Sequence, residues 1–500
     1  MHLNDHMKIM MLVILVVFNL AFSLTAGASN FSSLIPYPFY AVQDGGQNQM
    51  TFLNDGPLAF AKRIDMVRRA QSHIEVEYFI YATDTTNRIF NKELIIAADR
   101  GVKIRILIDK SLPSFAFNGY FAKELKSHGI EVKYYNDAAI WRISTEQFRN
   151  HRKLISIDDL EAITGGRNMA DEYFDFHHKF NFDDADLHVV GPIAKVMRET
   201  FDKFFEDEIS VTPSYPTVPT LPDPLKRYKR RTAKAKWFFE QTDQKEIDAR
   251  VRLDAALTGL AAQPSFACPT TTFSADAPGA NFIARLKPDF IDTHRYLRKT
   301  LFDKISAIDK RITISSPYVI DGVNNDNVLN ILLKNGAEID LFTNSLGSTD
   351  AFYVAANMYL DLKGWMEKGI HVYLADGTYQ AKTSPAPDYV LKAKSGTHAK
   401  VQVYETKTYS EVMVGTYNID HRSNYYNAEM ALFCKGSDEL TAQIKQSISN
   451  NMKAGLTVSA DAHSVTDKDG GVHSVYGASK AQVIKMKLWT FLAWLTVSLY

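Results

Sequence analysis

Two stretches of the chain carry the same succession of apolar patterns. Residues 72–112, SHIEVEYFIYATDTTNRIFNKELIIAADRGVKIRILIDKSL, hold a β-rich run, a segment with helical apolar spacing, a glycine turn and a second β-rich run. Residues 309–350, DKRITISSPYVIDGVNNDNVLNILLKNGAEIDLFTNSLGSTD, follow the same order. Asn335-Gly336-Ala337 matches Arg100-Gly101-Val102, and IDLFTN matches IRILID. Strand, helix, strand is the unit of a parallel or mixed sheet with right-handed crossovers. Each copy then adds a helix and a strand, KELKSHGIEVKYYN in one and LKGWMEKGIHVYLA in the other. The pattern predicts an α/β protein built twice on one plan, with a first lobe over 29–212 and a second over 251–458.

The segments outside these lobes have their own patterns. Ile9 to Leu24 is a continuous apolar run broken only by Asn19 and Ser23, and Ala26-Gly27-Ala28 follows it. It is shorter than the span of about 20 residues that a bilayer requires. Residues 1–28 therefore read as an export signal, with a retained anchor as the alternative. Between the lobes, spaced prolines in SVTPSYPTVPTLPDPLKRYKRR predict a connector, assigned to 213–250. It carries a basic run of Lys226, Arg227, Lys229, Arg230 and Arg231, either a solvated helix face or a seat for an anionic lipid or polyanion. A Ser/Asp/Gly-rich loop leads to the apolar C-terminus, Lys485 to Tyr500, so 459–500 reads as loop plus helix. That helix suits either a membrane interface or a docked position on the core.

Composition changes little. A formal net charge of zero gives no global basis for nucleic-acid binding. Cys268 and Cys434 are far apart and form no metal-ligand or CxxC spacing, so they are expected as buried thiols, with one disulfide as the alternative.

The candidate chemistry is also duplicated. HRKLISID places His151 and Lys153 two apart before Leu154, Ile155 and Ile157, and HAKVQVYE does the same with His398 and Lys400. On a strand, residues two apart share a face. GGRN and GTYN then follow a short return strand, which should bring Asn168 and Asn418 back beside their own His-Lys pairs. A phosphodiester uses such a set. One neutral imidazole attacks phosphorus while the other, protonated, donates to the leaving alkoxide. Lysines and carboxamides balance charge on the non-bridging oxygens, and no metal or cofactor is called for. Asp184 and Asp186, on one face of a candidate strand, and Glu429 are the acids expected to orient the rings. His177, His178, His188 and His421 lack the full pattern and read as surface or supporting residues.

These motifs resemble the phospholipase D superfamily, whose signature HxKx4D occurs once in each of two lobes. The resemblance runs from about Phe52 to Lys453 and is close to the bacterial cardiolipin synthase branch in GGRNMADEYF, DADLHVVGP, LFTNSLGSTD and GTYNIDHRSNYYNAE. It implies two pseudo-symmetric α-β-α lobes with mixed sheets and an active-site cleft between them. It also implies a covalent phosphohistidine without metal, with His151, Lys153, Asn168, His398, Lys400 and Asn418 converging and Asp184 and Glu429 backing the histidines. Gly166 and Thr416 fall within the motif turns. Asp158 matches the signature, whereas Glu405 replaces its second aspartate, and His421 stands where relatives commonly carry proline. The expected protein is exported across the inner membrane, sits in the cell envelope or is secreted, and associates with a phospholipid membrane. It would act on a glycerophospholipid with water or an alcohol as acceptor. A nuclease of the same superfamily and an inactive membrane-binding scaffold are the rival readings, and the neutral charge counts against the nuclease.

Overall fold

A computed structural model describes residues 35–137, 147–320, 328–380, 382 and 386–486. The strands of the first half are β1 (Tyr40–Leu53), β2 (His73–Tyr78), β3 (Lys103–Asp109), β4 (Glu131–Tyr135), β5 (Leu154–Ile157), β6 (Glu161–Gly165), β7 (Phe180–Asp183), β8 (Asp186–Val190) and β9 (Ser210–Val211). Those of the second are β10 (Phe266–Ala275), β11 (Arg311–Ser315), β12 (Glu338–Asn344), β13 (His371–Ala375), β14 (Lys394–Thr397), β15 (Val401–Glu405), β16 (Ser410–Gly415) and β17 (Met430–Lys435), closed by β18 (Leu456–Val458), β19 (Ser464–Thr466) and β20 (Val472–Ser474).

The two halves mirror each other. Parallel β4-β3-β2 continues into antiparallel β5-β6-β8, and parallel β13-β12-β11 continues into antiparallel β15-β16-β17. The crossovers are the helices Thr85–Asp99 and Gly119–Ser127 in one half, Val328–Lys334 and Phe352–Glu367 in the other. Long β1 pairs with both β8 and β10, and β10 pairs with β17, so the two lobes share one continuous mixed sheet. A separate parallel pair, β7 with β14, ties the lobes together a second time.

Three apolar clusters hold this arrangement. Each lobe has one, and the third joins them through the helices Ile193–Phe205 and Asp438–Ala454. Phe201, Phe204 and Ile444 in this junction are fully buried. Each such side chain contributes roughly 1.5–3 kcal/mol on leaving water. The lobes are consequently not free to separate without losing a core.

Several expectations are corrected. The connector is mostly helical: Pro222–Glu240 and Gln244–Gly259 follow the proline-rich stretch. Ala235, Phe238, Ala249 and Leu253 from these helices enter the first-lobe core, so the second half begins near β10 rather than at 251. Cys268 and Cys434 form a disulfide, with Cα atoms 5.7 Å apart on neighbouring strands β10 and β17. Sheet register brings them together across a separation of 166 residues, a distance at which sequence spacing gives no signal. The strands also begin later than expected, at Leu154 and Val401, so each His-x-Lys lies in an extended lead-in. Asp184 sits in the break between β7 and β8, not on a strand face with Asp186.

Among the described residues no helix is long and apolar enough to cross a membrane. The leader over 1–28 and most of the apolar C-terminus lie outside the described residues.

Candidate active site

The two inter-lobe pairings decide where the histidines go. Parallel β7 and β14 run in register, Asp183 opposite Thr397, so the next residues, Asp184 and His398, are neighbours. His398 N donates to Asp183 O at 2.8 Å, and His398 Nδ1 lies 2.7 Å from Asp184 Oδ2. The mirror pairing is the parallel bridge between Asn150 and Ala428. His151 N donates to Ala428 O at 2.9 Å, and His151 Nδ1 lies 2.9 Å from Glu429 Oε2. Each ring is thus held by a carboxylate of the opposite lobe.

The lysines are folded over the same centre. Lys153 Nζ donates to His151 O at 2.7 Å, and Lys400 Nζ donates to His398 O at 2.6 Å. Lys400 Nζ also lies 3.0 Å from His398 Nε2. Lys153 and Lys400 each depress both histidines, and His151 depresses His398 as well. Neither ammonium has a carboxylate within ion-pair distance among the described residues.

Burial makes the centre resist every charge. His151 is 7% exposed and His398 4%, while Asp184 and Glu429 are fully buried. Desolvation, followed by the two lysines, holds both imidazoles well below their ordinary range. Desolvation and the opposing ammonium push Lys153 down to about 7, and desolvation takes Lys400 to about 8 despite nearby carboxylates. Burial lifts Glu429 to about 7 against the pull of Lys153, and raises Asp184 too. A site left this reluctant to hold charge, with two ammonium groups and no internal counter-ion pairs for them, is prepared for a ligand that arrives with negative charge.

The positioning acids are themselves fixed. Glu429 accepts from Thr416 Oγ1, from Ser423 Oγ at 2.8 Å and from Asn427 Nδ2 at 3.4 Å. Its own N–H donates to Asp276 Oδ2 at 2.9 Å. Asp184 Oδ1 accepts from Ala185 N at 2.7 Å. A Cβ on Gly166 would overlap the Asp184 carboxylate, which is why glycine stands there. In the second half the longer Glu429 reaches its histidine with Thr416 at the matching turn position, and the threonine hydroxyl serves it instead.

The remaining predicted residues divide clearly. Asn168 is buried near the centre, but its Oδ1 accepts from Ile80 N at 3.1 Å and its Nδ2 donates to Tyr173 OH at 2.8 Å. The Tyr173 ring packs 5.1 Å from His398. Asn418 is buried, and its Oδ1 has no hydrogen-bond partner among the described residues. Asp158 accepts the backbone N–H groups of Gln71, Ser72 and His73, and Glu405 pairs with Lys445 at 2.6 Å, so both motif acids are structural. Asp186 is likewise structural, paired with Arg63 and Arg167 at 2.9 and 3.1 Å. His188 pairs with Glu161, and His421 Nε2 lies 3.2 Å from Arg285 Nη2.

Sequence reasoning missed a symmetric pair of clamps. Asp109, the last residue of β3, accepts from Asn150 N at 2.7 Å, and Asn344, the last residue of β12, accepts from Thr397 N at 2.8 Å. Each fixes the residue just before its lobe's histidine. The alignment of IRILID with IDLFTN already placed them in register, so the repeat carried the signal. Asp276, which braces Glu429, belongs to no motif, and Ser423 lies within GTYNIDHRSNYYNAE but was not singled out there. Among the described residues no group of three or more His, Cys, Asp or Glu side chains is placed to hold a metal ion.

Comparison with known proteins bears on the family and the fold. A family model described as "Cardiolipin synthase, PLD-like domain" matches residues 64–204 and 301–452. Cardiolipin synthase C of Escherichia coli is 27% identical over 389 residues, covering 74% of this chain and 78% of that protein. An uncharacterized protein of Helicobacter pylori is 27% identical over 401 residues, covering 76% of this chain and 74% of its own length. The crystal structure of a phosphatidylserine synthase from Haemophilus influenzae superposes with a TM-score of 0.59 at 13% identity, covering 92% of this chain and 97% of that one, a likeness of fold.

Proposed function

This chain belongs to the cardiolipin synthase, PLD-like domain family, and from that premise we propose that it transfers or hydrolyses the phosphatidyl group of glycerophospholipids through a covalent phosphohistidine. The observation that carries the reading is the crossed pairing of His151 with Glu429 and of His398 with Asp184, beside two lysines with no carboxylate at ion-pair distance among the described residues.

The steps follow from those contacts. A phosphodiester monoanion enters the charge-poor centre and is held by Lys153 and Lys400, with the Nδ2 amide of Asn418 as a further donor. Its negative charge favours a protonated partner imidazole. His151 Nε2, the ring nitrogen that Glu429 does not engage, attacks phosphorus. His398 gives its proton to the departing alcohol oxygen as the P–O bond breaks. In the second step an alcohol or water loses its proton to His398, its oxygen attacks phosphorus, and the P–N bond to His151 breaks. His151 is assigned as nucleophile because Lys400 Nζ crowds His398 Nε2 at 3.0 Å. Glu429 and Asp184 position the rings and stabilise whichever becomes charged.

Export to an oxidising compartment is part of the same proposal. The apolar leader supports it, and so does the Cys268–Cys434 disulfide, a bond rare in reducing cytosol.

Product analysis tests the reading. Purified protein is incubated with headgroup-labelled phosphatidylglycerol, with and without added glycerol, and separately with DNA. Release or exchange of the headgroup, with DNA intact, is expected. Cleavage of DNA without any turnover of lipid would overturn it.

A further inference from the structure

The helix Pro222–Glu240 carries seven Lys and Arg residues against Asp223 and Glu240. All seven are exposed. Lys236 is 3.5 Å from Glu240, and the other cations have no carboxylate within ion-pair distance among the described residues. The helix is not free on all sides: Phe238 and Phe239 pack on Phe121, and Tyr228 lies against Tyr120 with ring centroids 5.9 Å apart. One exposed stripe of the helix borders the first lobe, with Trp237 against the Arg88 guanidinium at 5.5 Å, and is set by helical spacing. Lys226, Arg230 and Lys234 follow at intervals of four, and Trp237, 47% exposed, completes the same face. Just before the helix, Val218 and Leu221 are each 66% exposed.

A cavity of about 600 Å³ lies between the helix and the first lobe, with Thr83 and Asn118 on one wall and Arg230, Arg231 and Lys234 on the other. Thr83 belongs to the loop leaving β2, and that loop begins with Phe79, whose ring is 5.0 Å from His151. Ser114, in the loop leaving β3, donates to Phe79 O at 2.9 Å. The basic helix and the catalytic centre therefore open off the same edge of the parallel strands.

We infer that the Lys226–Arg230–Lys234–Trp237 face, with the Val218–Leu221 turn beside it, is the surface by which this protein sits on an anionic phospholipid bilayer. Cations over a surface rich in acidic lipid, joined to an indole and aliphatic side chains at headgroup depth, match that partner chemically. A nucleic acid would be served by the cations but not by the exposed Val218 and Leu221. The inference deepens the lipid-directed reading of the active site, since docking there would hold the cleft edge against its substrate's headgroups, but binding is measurable without turnover.

The test uses the full-length chain, so that its apolar ends contribute equally to every sample. Flotation is compared for vesicles of phosphatidylcholine alone and of phosphatidylcholine with phosphatidylglycerol in equal parts. The Lys226→Gln, Arg230→Gln, Lys234→Gln triple variant should lose on the order of a hundredfold in partitioning onto the anionic vesicles, with neutral vesicles and thermal unfolding unchanged. Raising the salt should erase the wild type's preference for the anionic vesicles. Independently, vesicles of brominated phosphatidylglycerol should quench wild-type fluorescence more than that of Trp237→Phe. Equal partitioning of triple variant and wild type onto anionic vesicles, or equal quenching, would overturn the inference. So would tighter binding of duplex DNA than of anionic vesicles, lost in the same triple variant.

Discussion

His398 Nδ1 lies 2.7 Å from Asp184 Oδ2, although the two residues belong to opposite lobes and are separated by 214 positions. Its mirror is His151 with Glu429. A crossed arrangement has an energetic consequence. Neither histidine is oriented until the lobes have joined, so the site cannot exist in either half alone. The buried junction of Phe201, Phe204 and Ile444 is therefore also what assembles the chemistry.

Removing an orienting acid should lower turnover more than binding. Asp184→Asn and Glu429→Gln keep the shape but cannot stabilise an imidazolium, and each should lower kcat on the order of 10²–10⁴-fold with a smaller change in KM. Steady-state kinetics on a short-chain phospholipid checks this, and an unchanged kcat would remove both acids from the mechanism.

Gly166→Ala should damage the same histidine from the other side. The new methyl overlaps the Asp184 carboxylate, so the acid must move away from His398. The expectation is a loss of roughly 1–3 kcal/mol in stability with a fall in kcat, read by thermal unfolding and kinetics together. A fully active and stable variant would show that Asp184 has room to spare.

The buried lysines set the alkaline limb. With Lys153 at about 7 and Lys400 at about 8, kcat/KM, which reports the free enzyme, should fall as pH rises through 7–8. The limb in kcat should lie at higher pH, because a bound phosphodiester holds the ammonium charges. Stability should move the other way. A lysine whose folded value is depressed is destabilised while charged, so the folded state gains as pH rises from about 8 toward the ordinary 10.5 for Lys400. Glu429, raised from 4.5 to about 7, has the opposite sign and favours the folded state less as pH rises through that window. Lys400→Met should flatten the alkaline gain in thermal unfolding; an identical pH profile in that variant would contradict the assignment.

Much of this was legible in the chain. The repeat fixed strand order in both lobes, because apolar periodicity is a local property that tertiary contacts here reinforce. Duplication and spacing pointed to His151, Lys153, His398 and Lys400, while Asp184, Asp186 and Glu429 were all candidate acids until the family resemblance pointed to Asp184 and Glu429. What was not legible depends on long-range register. Whether Asp184 serves the histidine of its own lobe or the other is decided by β7 pairing with β14, and the Cys268–Cys434 bond by β10 pairing with β17. The helix Gln244–Gly259 was assigned to a connector and a second lobe because nothing in its sequence says which core Ala249 and Leu253 will enter. Asp158, read only as a supporting motif acid, caps a turn at Gln71–His73 with its own φ at 54°.

Reducing the disulfide should cost stability without touching the chemistry. Cys268→Ser with Cys434→Ser is expected to lose about 2–5 kcal/mol, seen as a lower Tm, while kcat at moderate temperature is kept. An equal Tm in reductant and oxidant would show that the bond does not contribute.

The central claim is that both imidazoles act on one phosphorus atom, with His151 forming the bond. A phosphatidyl ester of p-nitrophenol has a leaving group that needs no acid, so a His398→Asn variant should still carry out the first step and stall before the second. Rapid acid-free quenching and peptide mass spectrometry should then find the phosphatidyl group on His151, with a burst of p-nitrophenol to match. Full turnover by His151→Asn and by His398→Asn, with neither ring labelled in any sample, would contradict the account.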